Sequence, residues 1–447
     1  MSKRIAFISE HASPLALLGG TDSGGQNVYV AELSVQLVKQ GYQIDIYTRW
    51  DDPYISQVVN YEPGVRIIHI QAGPLKPVAK EELLSYMHDF YMDMLGFINE
   101  QEIFYSLIHA NFWMSGLVAM QLKAELNIPF VITFHALGYV RKIYQKESDK
   151  FPPERLIIEE EIVRQADHII AECPQDRDDL ILYYEAKPEN ITIIPCGFNK
   201  DEFYPVDKAY SRNLLKLGSH EMIILQLGRM VPRKGIDNVI RALALIDNSE
   251  IPVSLVIVGG ENNRDQNLSS EHLRLLNLVK DLKLSDRVVF TGRKERDELK
   301  YYYAAADLFI TTPWYEPFGI TPLESMACGT PVIGAAVGGI KYSVIDGETG
   351  FLVPPDCPAA LSEKIIELLT NKLLMIEMGR NAVNHVHLHY TWQIIASKMK
   401  NLYEEVLQKD IVIDKGLLNV IKLKIINRNT TISYLNAKGR ERHKYGS

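Results

Sequence analysis

Long apolar runs, paired cysteines and dinucleotide-binding glycine fingerprints are all missing from this sequence of 447 residues. No apolar stretch approaches the roughly 18 residues that a membrane span needs, and the one near the N-terminus is too short for a signal-peptide core. The four cysteines are widely spaced, with neither a CxxC pair nor a zinc spacing, which indicates reduced thiols. We therefore expect a cytoplasmic protein without a disulfide framework or a zinc site.

The net charge of −8 is unevenly distributed along the chain. Segment 411–447 contains eight Lys or Arg and two Asp or Glu residues, so it carries +6 and the remainder about −14. An acidic body argues against nucleic acid as a partner. The basic tail either lies on an anionic membrane surface or is an incidental extension, and we favour the extension.

The length of the chain exceeds that of one comfortable hydrophobic core, so two domains are expected. Short apolar segments alternate with helical patterns from Arg4 onward, and the alternation starts again at Met222. This pattern predicts an α/β fold with two mostly parallel sheets. The expected division is 1–200 and 201–390 for the two domains, then a helix at 391–410 and the tail at 411–447.

The stretch Trp-Tyr-Glu-Pro-Phe-Gly-Ile-Thr-Pro-Leu-Glu at 314–324 places two carboxylates, Glu316 and Glu324, eight positions apart. It follows an apolar run at 304–311 that predicts a strand. A carboxylate in a loop at a strand's carboxyl end lies where open α/β sheets hold ligands. Thr321-x-x-Glu324 also fits a capping box, in which Glu324 only closes the helix start, and both readings of Glu324 stay open.

The same stretch predicts a helix start beside the loop. Thr321 is expected to be the N-cap, with Pro322 in the first helical position. The backbone N–H groups of Phe318, Gly319 and Ile320 would then be available to hold hydroxyls or a phosphate.

Basic residues follow the first strand of the second domain. The strand at 222–227 leads directly into Gly-Arg-Met-Val-Pro-Arg-Lys-Gly, which carries Arg229, Arg233 and Lys234 beside a helix start. Three cations in this position favour a di- or polyanionic ligand over a solvated surface. In the first domain, a glycine-rich loop at 19–27 also joins a strand to a helix, but it lacks the GxGxxG spacing of dinucleotide sites.

These motifs together resemble the retaining family 4 glycosyltransferases of GT-B fold, in which two Rossmann-like domains face each other across a cleft. The likeness rests on Glu-x7-Glu with the Gly-Thr-Pro at 329–331, on Gly-Arg-x4-Lys-Gly at 228–235 and on Thr-x-His-x-Leu at 133–137. It extends from residue 4 to about residue 408. The glycine-rich first loop is similar to that of sucrose-phosphate synthases and of the inositol-phosphate glycosyltransferases of mycothiol synthesis.

The resemblance implies a role for individual residues. The expected catalytic residues are His135, Glu316, Arg229 and Lys234. The expected donor-binding residues are Gly24, Gly25, Arg229, Lys234, Glu316, Phe318, Gly319, Ile320 and Glu324. The expected acceptor-binding residues are His11, Gln26, Asn27, Lys80 and Arg155. A lone His such as His135 is more often structural, and it is the family motif that favours a sugar contact.

Two further expectations follow from the resemblance. The helix at 391–410 should cross back to the first domain. No Asp-x-Asp metal triad stands on a suitable loop, so cations and helix N-termini should meet the charge of the donor diphosphate. We therefore predict no cofactor and no essential metal, since the nucleotide sugar is itself a substrate.

Some positions depart from the family pattern and bear on the acceptor. Asn111 replaces the second His of the family's His-x-His segment, and Phe112 and Ala136 replace hydroxyl-bearing residues that help to hold inositol phosphate in the mycothiol enzymes. Gln26 is the residue of the sucrose type. The resemblance thus implies transfer of glucose or N-acetylglucosamine from a UDP-sugar to a small sugar or polyol, phosphorylated or not, with a sucrose-phosphate synthase-like activity as the leading prediction.

Other classes of protein keep the fold and change the function. An NAD-dependent oxidoreductase would need GxGxxG with an acid about 20 residues later, and neither half supplies it. A GT-B sugar-nucleotide epimerase, a non-catalytic binding protein and a glycosyltransferase for lipid or polysaccharide acceptors stay open. A lipid acceptor would give the basic tail a membrane-binding role.

Overall fold

The computed structural model describes residues 3–16, 24–218, 221–248, 252–261 and 268–409. The chain divides into two units, Met1–Lys400 and Asn401–Ser447, and both β-sheets belong to the first. The tail at 411–447, with its predicted role, lies outside the described residues, as does most of the glycine-rich first loop. Within the described ranges, every helix is too short or too polar to cross a lipid bilayer.

The first sheet contains eight strands. They are β1 Arg4–Ile8, β2 Gln43–Arg49, β3 Val58–Glu62, β4 Val65–Ile70, β5 Leu107–Asn111, β6 Phe130–Thr133, β7 His168–Ala171 and β8 Ile191–Ile193. They lie in the order β3-β4-β2-β1-β5-β6-β7-β8, and every pair is parallel except β3 with β4. Strands β5, β6 and β7 are buried along their whole length, as expected of parallel strands covered by helices on both faces.

Helices connect these parallel strands. They are α1 Gly25–Lys39, α2 Met87–Glu100, α3 Trp113–Leu126, α4 Gly138–Gln145, α5 Glu154–Gln165 and α6 Pro174–Tyr184. A 3₁₀ segment, Lys80–Tyr86, precedes α2.

The second sheet contains six strands, and all of its pairs are parallel. They are β9 Met222–Leu227, β10 Val253–Val258, β11 Val288–Gly292, β12 Leu308–Thr311, β13 Val332–Ala335 and β14 Gly350–Val353. Their order is β11-β10-β9-β12-β13-β14. The helices are α7 Lys208–Leu215, α8 Ile236–Ala244, α9 Ser270–Asp281, α10 Arg296–Ala305, α11 Ile320–Ala327, α12 Ile340–Ser343, α13 Pro358–Thr370 and α14 Lys372–His389.

Each sheet has a point where the direction of strand order reverses. In the first sheet β1 lies between β2 and β5, and in the second sheet β9 lies between β10 and β12. In open α/β sheets ligands bind in the crevice outside the carboxyl ends of the strands at such a point. The loops that follow β1, β5, β9 and β12 are therefore the ones placed to hold ligands.

Two local predictions were wrong. The apolar run at 304–311 is not one strand, because α10 continues to Ala305 and β12 begins at Leu308. Thr321 is not the N-cap of α11; that position is Gly319, whose φ of 93° is accessible to glycine at little cost.

After α14 the chain makes contact with the first domain. The Phe198 N–H donates to the Tyr390 carbonyl at 2.8 Å, and the rings of Trp392 and Tyr29 meet edge to face at 5.8 Å. A Cβ added to Gly197 would lie 2.8 Å from the Trp392 ring, so the close approach depends on glycine. Residues 390–392 thus pack where the connection between the two sheets begins.

Candidate active site

A cleft encloses a cavity of about 300 Å³. Its lining residues come from the loops at the carboxyl ends of strands in both sheets. All but one of the residues predicted to bind ligand line it. They are His11, Gly24, Gly25, Gln26, Asn27, Lys80, His135, Arg229, Lys234, Glu316, Phe318, Gly319, Ile320 and Glu324. The exception is Arg155. The sequence motifs therefore converge on one cleft, because most of them follow strands that border the reversal points of the two sheets.

The cations of the second domain surround one carboxylate. Lys234 Nζ donates a hydrogen bond to Glu316 Oε2, and Arg233 Nη1 donates to the same oxygen at 3.3 Å. Burial opposes ionisation of Glu316, but Lys234, Arg233 and Arg229 outweigh it and lower its pKa to about 2. Burial lowers the pKa of Lys234 to about 8, against the opposing effect of Glu316. Both groups of this pair are ionised at neutral pH.

Backbone packing fixes the two segments that carry this pair. Gly235, directly after Lys234, has a φ of 64°, and a Cβ there would lie 2.0 Å from the Thr312 carbonyl oxygen. A Cβ on Gly338 would lie 1.6 Å from the carbonyl oxygen of Glu316. Glycine at 235 and 338 therefore lets the backbone approach closely enough to hold Lys234 and Glu316 in place.

Glu324 is buried and does not close a capping box. It is 3% exposed, and its carboxylate accepts hydrogen bonds from Tyr303 Oη at 3.0 Å and from Arg296 Nη1 at 3.2 Å. Burial raises the pKa of Glu324, while Arg296 and the Tyr303 hydroxyl act in the opposite direction. The capping-box interpretation is wrong, because the N-cap of α11 is Gly319, two residues before the N-cap that a box at Thr321 would require.

Arg296 also joins the second domain to the first. Its Nε donates to Glu202 at 2.5 Å, and its Nη2 lies 3.8 Å from Glu32 on α1. Asn199 donates to Glu32 at 3.1 Å. Burial raises the pKa of Glu32 to about 7, even though Arg296 and Asn199 favour the ionised form. Sequence patterns did not indicate this cluster, since its members come from three separate segments.

His135 closes the first-domain side of the cleft. Its φ is 56°, a left-handed conformation that is uncommon outside glycine. Nδ1 donates to Glu172 Oε1 at 3.1 Å, and Nε2 lies 3.1 Å from the side-chain amide of Asn111. The ring of Tyr29 packs against the imidazole edge to face at 4.8 Å. Glu172, which follows β7, thus orients His135, and the sequence analysis missed it.

Side-chain amides hold the described end of the glycine-rich loop, residues 24–27. Asn27 Oδ1 accepts from the Gly24 N–H at 2.9 Å, while its Nδ2 donates to the Ser13 carbonyl at 2.9 Å. Gln26 Nε2 donates to Ser9 Oγ and to the Asn111 carbonyl, both at 3.2 Å. The Asn27 side chain therefore caps the N-terminus of α1.

Gly24 also meets the second domain across the cleft. A Cβ placed on Gly24 would lie 3.6 Å from Arg229 Nε, and one on Gly25 would lie 3.7 Å from Ile320 Cδ1. The N-terminus of α1 and the cation loop after β9 therefore border the same space.

A buried carboxylate supports His11. Glu10 is 0% exposed, its Oε1 accepts from His11 Nδ1 at 2.7 Å, and its Oε2 accepts from the Ser115 hydroxyl. The bond at Nδ1 leaves Nε2 as the lone-pair nitrogen of a neutral His11 ring. The ring packs edge to face on Phe112 at 4.9 Å. Glu10 stands next to a predicted residue, but no motif signalled it.

Arg155 does not line the cleft, in contrast to the prediction that it contacts the acceptor. It is 2% exposed, and its Nε donates to Glu159 at 2.7 Å. Its guanidinium lies behind the ring of Phe151, 4.5 Å from the ring centroid. A different arginine, Arg141 on α4, lines the cavity together with Lys80. The sequence motif ended at Leu137, so it gave no reason to single out Arg141.

No group of three or more His, Cys, Asp or Glu side chains in the described part of the chain is arranged to hold a metal ion.

Comparisons with known proteins cover most of the chain. Residues 208–385 match the family described as Glycosyl transferases group 1, and residues 23–202 match Glycosyltransferase Family 4. The D-inositol 3-phosphate glycosyltransferase of Corynebacterium glutamicum (strain R) is 34% identical over 415 residues, which cover 92% of this chain and 98% of that protein. The enzyme of the same description from Corynebacterium jeikeium (strain K411) is 36% identical over 408 residues, 90% of this chain and 96% of that protein.

Solved structures of glycosyltransferases also match about nine-tenths of the chain. The sucrose-phosphate synthase from Thermosynechococcus elongatus superposes with a TM-score of 0.84 at 36% identity, covering 91% of this chain and 100% of that one. Anabaena HepE, solved in complex with UDP and glucose, has a TM-score of 0.71 at 20% identity over 90% of this chain and 99% of that one. At 20% identity, the similarity to HepE indicates a shared fold and carries no information about function.

Proposed function

This chain belongs to the group 1 and family 4 glycosyltransferases and has the two Rossmann-like domains of the GT-B fold, and from that premise we propose which sugar it transfers and to what. The donor is a UDP-sugar carrying glucose or N-acetylglucosamine. The acceptor is a small phosphorylated sugar or polyol, with a sucrose-phosphate synthase-like reaction as the leading case.

One observation carries the donor side of the proposal. Arg229, Arg233 and Lys234 converge on Glu316 next to the N-terminus of α11. This is a cluster of cations beside a group that can accept from sugar hydroxyls, which suits a diphosphate with a hexose attached. Glu324, which lies one helical turn after the start of α11, would accept hydrogen bonds from the ribose hydroxyls.

The acceptor side is supported by the relatives and by one residue. Two relatives at 34% and 36% identity are named for an inositol phosphate and for sucrose phosphate, so both names contain a phosphorylated polyol or sugar. Phe112 and Ala136 lack the hydroxyls that the inositol-phosphate enzymes use, whereas Gln26 is the sucrose-type residue. This combination favours a phosphorylated sugar over an inositol phosphate.

The reaction needs no enzyme nucleophile. As the bond from the anomeric carbon to the diphosphate breaks, negative charge gathers on the leaving oxygen, and preorganised cations stabilise it most in the transition state. The acceptor hydroxyl attacks from the same face, and its proton passes to the leaving phosphate oxygen, so the anomeric configuration is retained. Arg229, Lys234 and the helix N-termini meet the diphosphate charge, and we propose that no metal is essential.

A matrix of donors and acceptors tests the proposal. UDP-glucose, UDP-N-acetylglucosamine and the corresponding ADP- and GDP-sugars are each incubated with sugar phosphates, polyol phosphates and their dephosphorylated forms, and products are read by mass. We expect a mass gain of one hexosyl unit with a UDP donor and a phosphorylated acceptor. Transfer only to lipid or polysaccharide, or isomerisation of the donor alone, would overturn the substrate assignment.

A further inference from the structure

A second, smaller cavity adjoins the cleft. It has a volume of about 200 Å³ and is lined by residues of α4 and α6 in the first domain and of the loops that follow β12 and β13 in the second. Segment 315–317, which we call the dividing loop, lines both the cleft and this second cavity. Because both domains contribute to the lining, a ligand in the second cavity would contact both domains.

Contacts between the domains hold the dividing loop in place. The rings of Tyr144 on α4 and Tyr315 stack with centroids 5.1 Å apart and planes 24° apart, and Gln145 Nε2 donates to the Tyr315 hydroxyl. Cys173 Sγ donates to the Pro317 carbonyl at 3.4 Å. The dividing loop is thus tied both to α4 and to the residue that precedes α6.

The second cavity differs from the cleft in charge. Its lining residues, all of which belong to the described part of the chain, include no Lys, Arg or His. The cleft, by contrast, is lined by several Lys and Arg side chains. A phosphate or a nucleotide needs cations to offset its charge, so the second cavity does not suit an anionic ligand.

Two carboxyl groups of α6 each have one oxygen available for a ligand. Asp176 Oδ2 accepts from the Glu172 N–H at 2.9 Å, and Asp179 Oδ1 accepts from Gln175 Nε2 at 3.2 Å. Among the described residues, the other oxygen of each carboxyl has no hydrogen-bond partner. Burial and the charge of Glu172 raise the pKa of Asp176 to about 8, and burial also raises the pKa of Asp179. Asp176 is therefore mostly protonated at pH 7, and its carboxyl can both donate to and accept from a hydroxyl.

Tyrosine rings complete the lining of the second cavity. Tyr144, Tyr183 and Tyr315 all belong to it, and Tyr144 is 45% exposed despite its stacked ring. Aromatic faces beside carboxyl groups suit either the C–H face of a saccharide, whose hydroxyls reach the carboxyls, or an organic cation. A protonated Asp176 offers no charge to a cation, which favours the saccharide. The volume suits a single ring, since sites for larger ligands begin at roughly 300 Å³.

We propose that the second cavity binds one uncharged saccharide or polyol ring, with a tyrosine face against the ring and with Asp176 and Asp179 on its hydroxyls. The ligand would join α4 and α6 to the dividing loop and thereby support Glu316, which belongs to that loop, from the side opposite the cleft. This site is separate from the proposed donor and acceptor positions, so the inference does not depend on which substrates the enzyme uses.

Hydrogen exchange with glucose as the probe locates the site. Saturating glucose should slow amide exchange in α4 and α6 and also in segments 313–317 and 336–338. Protection confined to segments 24–27 and 228–235 would place glucose in the cleft and overturn the proposal, as would protection in one domain alone or none at all. The measurement needs neither a nucleotide nor turnover, so it distinguishes failure of this inference from failure of the proposed function.

Ala336→Phe tests the cavity itself, with Ala336→Ser as the matched control. Ala336 is exposed and lines the second cavity but not the cleft, so a phenyl ring there fills the cavity without disturbing the core. We expect glucose to bind Ala336→Phe roughly 10-fold more weakly or worse, because the ring loses its space. Binding to Ala336→Ser should stay within about 2-fold of wild type. Equal binding by the two variants would refute the site.

Two comparisons test the chemical class of the ligand. Asp179→Asn should weaken glucose binding several-fold, whereas Asp178→Asn, a change at the exposed neighbour that does not line the cavity, should leave it unchanged. Tetramethylammonium, a cation without hydroxyls, should give no protection in the exchange experiment at concentrations at which glucose saturates. Protection by tetramethylammonium in place of glucose would identify an aromatic site for a cation and overturn the saccharide assignment.

Discussion

Lys234 and Glu316 form a hydrogen-bonded ion pair at the base of the cleft, and Arg233 donates to the same Glu316 oxygen at 3.3 Å. The cation proposed for the donor diphosphate and the carboxylate proposed for the donor sugar are therefore partners of each other in the free protein. A bound diphosphate would compete with Glu316 for Lys234, and the sugar hydroxyls would compete for Glu316. Four predictions follow from this arrangement and from the Arg296 cluster.

Removing the positive charges of Arg229 and Lys234 together should abolish most of the transferase activity. In Arg229→Gln/Lys234→Gln the leaving diphosphate loses two preorganised cations, and we expect kcat/KM to fall by roughly 10³-fold or more. Steady-state kinetics with the best donor and acceptor pair measure this. Arg241→Gln, an exposed arginine on α8, should retain wild-type rates. Wild-type turnover in the double variant would refute the role of the two cations.

Glu316→Gln should separate binding of the nucleotide from transfer of the sugar. Because the carboxylate no longer competes for Lys234, UDP without a sugar should bind several-fold more tightly by calorimetry. Transfer from the UDP-sugar should slow by roughly 10- to 100-fold, since Gln accepts sugar hydroxyls less strongly. If UDP binding weakened in step with transfer, Glu316 would instead be a structural support for the cation loop.

Donor affinity should depend on pH through Lys234. Its pKa in the free protein is lowered to about 8 by burial. The protonated form binds the diphosphate, so affinity should be constant well below pH 8 and fall as the pH rises through 8. Titrations of a UDP-sugar between pH 6.5 and 9 measure the effect, and Lys234→Gln should bind weakly with a nearly flat profile. A profile that is equally steep in Lys234→Gln would assign the titration to another group.

Glu32→Gln should stabilise the protein at high pH. Burial raises the pKa of Glu32 from 4.5 to about 7, so ionisation disfavours the fold; the resulting loss of stability begins above pH 4.5 and is complete above about pH 7. At pH 8 the free energy of unfolding of Glu32→Gln should exceed that of wild type by about 3 kcal/mol. Urea denaturation at pH 5 and pH 8 measures this.

The difference should shrink toward pH 5, where Glu32 of the folded wild-type protein is mostly neutral, as the glutamine of the variant is. Exposed Glu125→Gln on α3 serves as the control and should change stability little at either pH. A stabilisation by Glu32→Gln that is equal at pH 5 and pH 8 would mean that packing, not ionisation, is responsible.

Local motifs predicted that Arg229, Lys234 and Glu316 meet in one cleft, because these residues lie close to two strand ends. Arg229 and Lys234 follow β9, and Glu316 follows β12, the neighbouring strand. Neighbouring parallel strands end at the same edge, so motif spacing alone was enough to bring these residues together. The GT-B fold and the glycosyltransferase activity were predictable from the resemblance of these motifs to the family 4 glycosyltransferases.

The supporting residues were not predictable, because their roles depend on contacts distant in sequence. Glu172 orients His135 from 37 positions away, and Arg296 reaches Glu32 on another domain. Arg155 was expected to bind the acceptor, yet it is buried against its partner Glu159, one helical turn later, and the ring of Phe151. Periodicity and motifs do not indicate that Arg141 faces the cleft while Arg155 is buried.

Arg296 connects the proposed nucleotide site to the first domain. Its guanidinium is shared among Glu324 in that proposed site, Glu202 in the connection between the sheets and Glu32 on α1. If ribose hydroxyls engage Glu324, that carboxylate has less charge to offer Arg296, and the attraction of Arg296 to Glu32 should strengthen. A filled nucleotide site should then stiffen the joint between the two halves before an acceptor arrives.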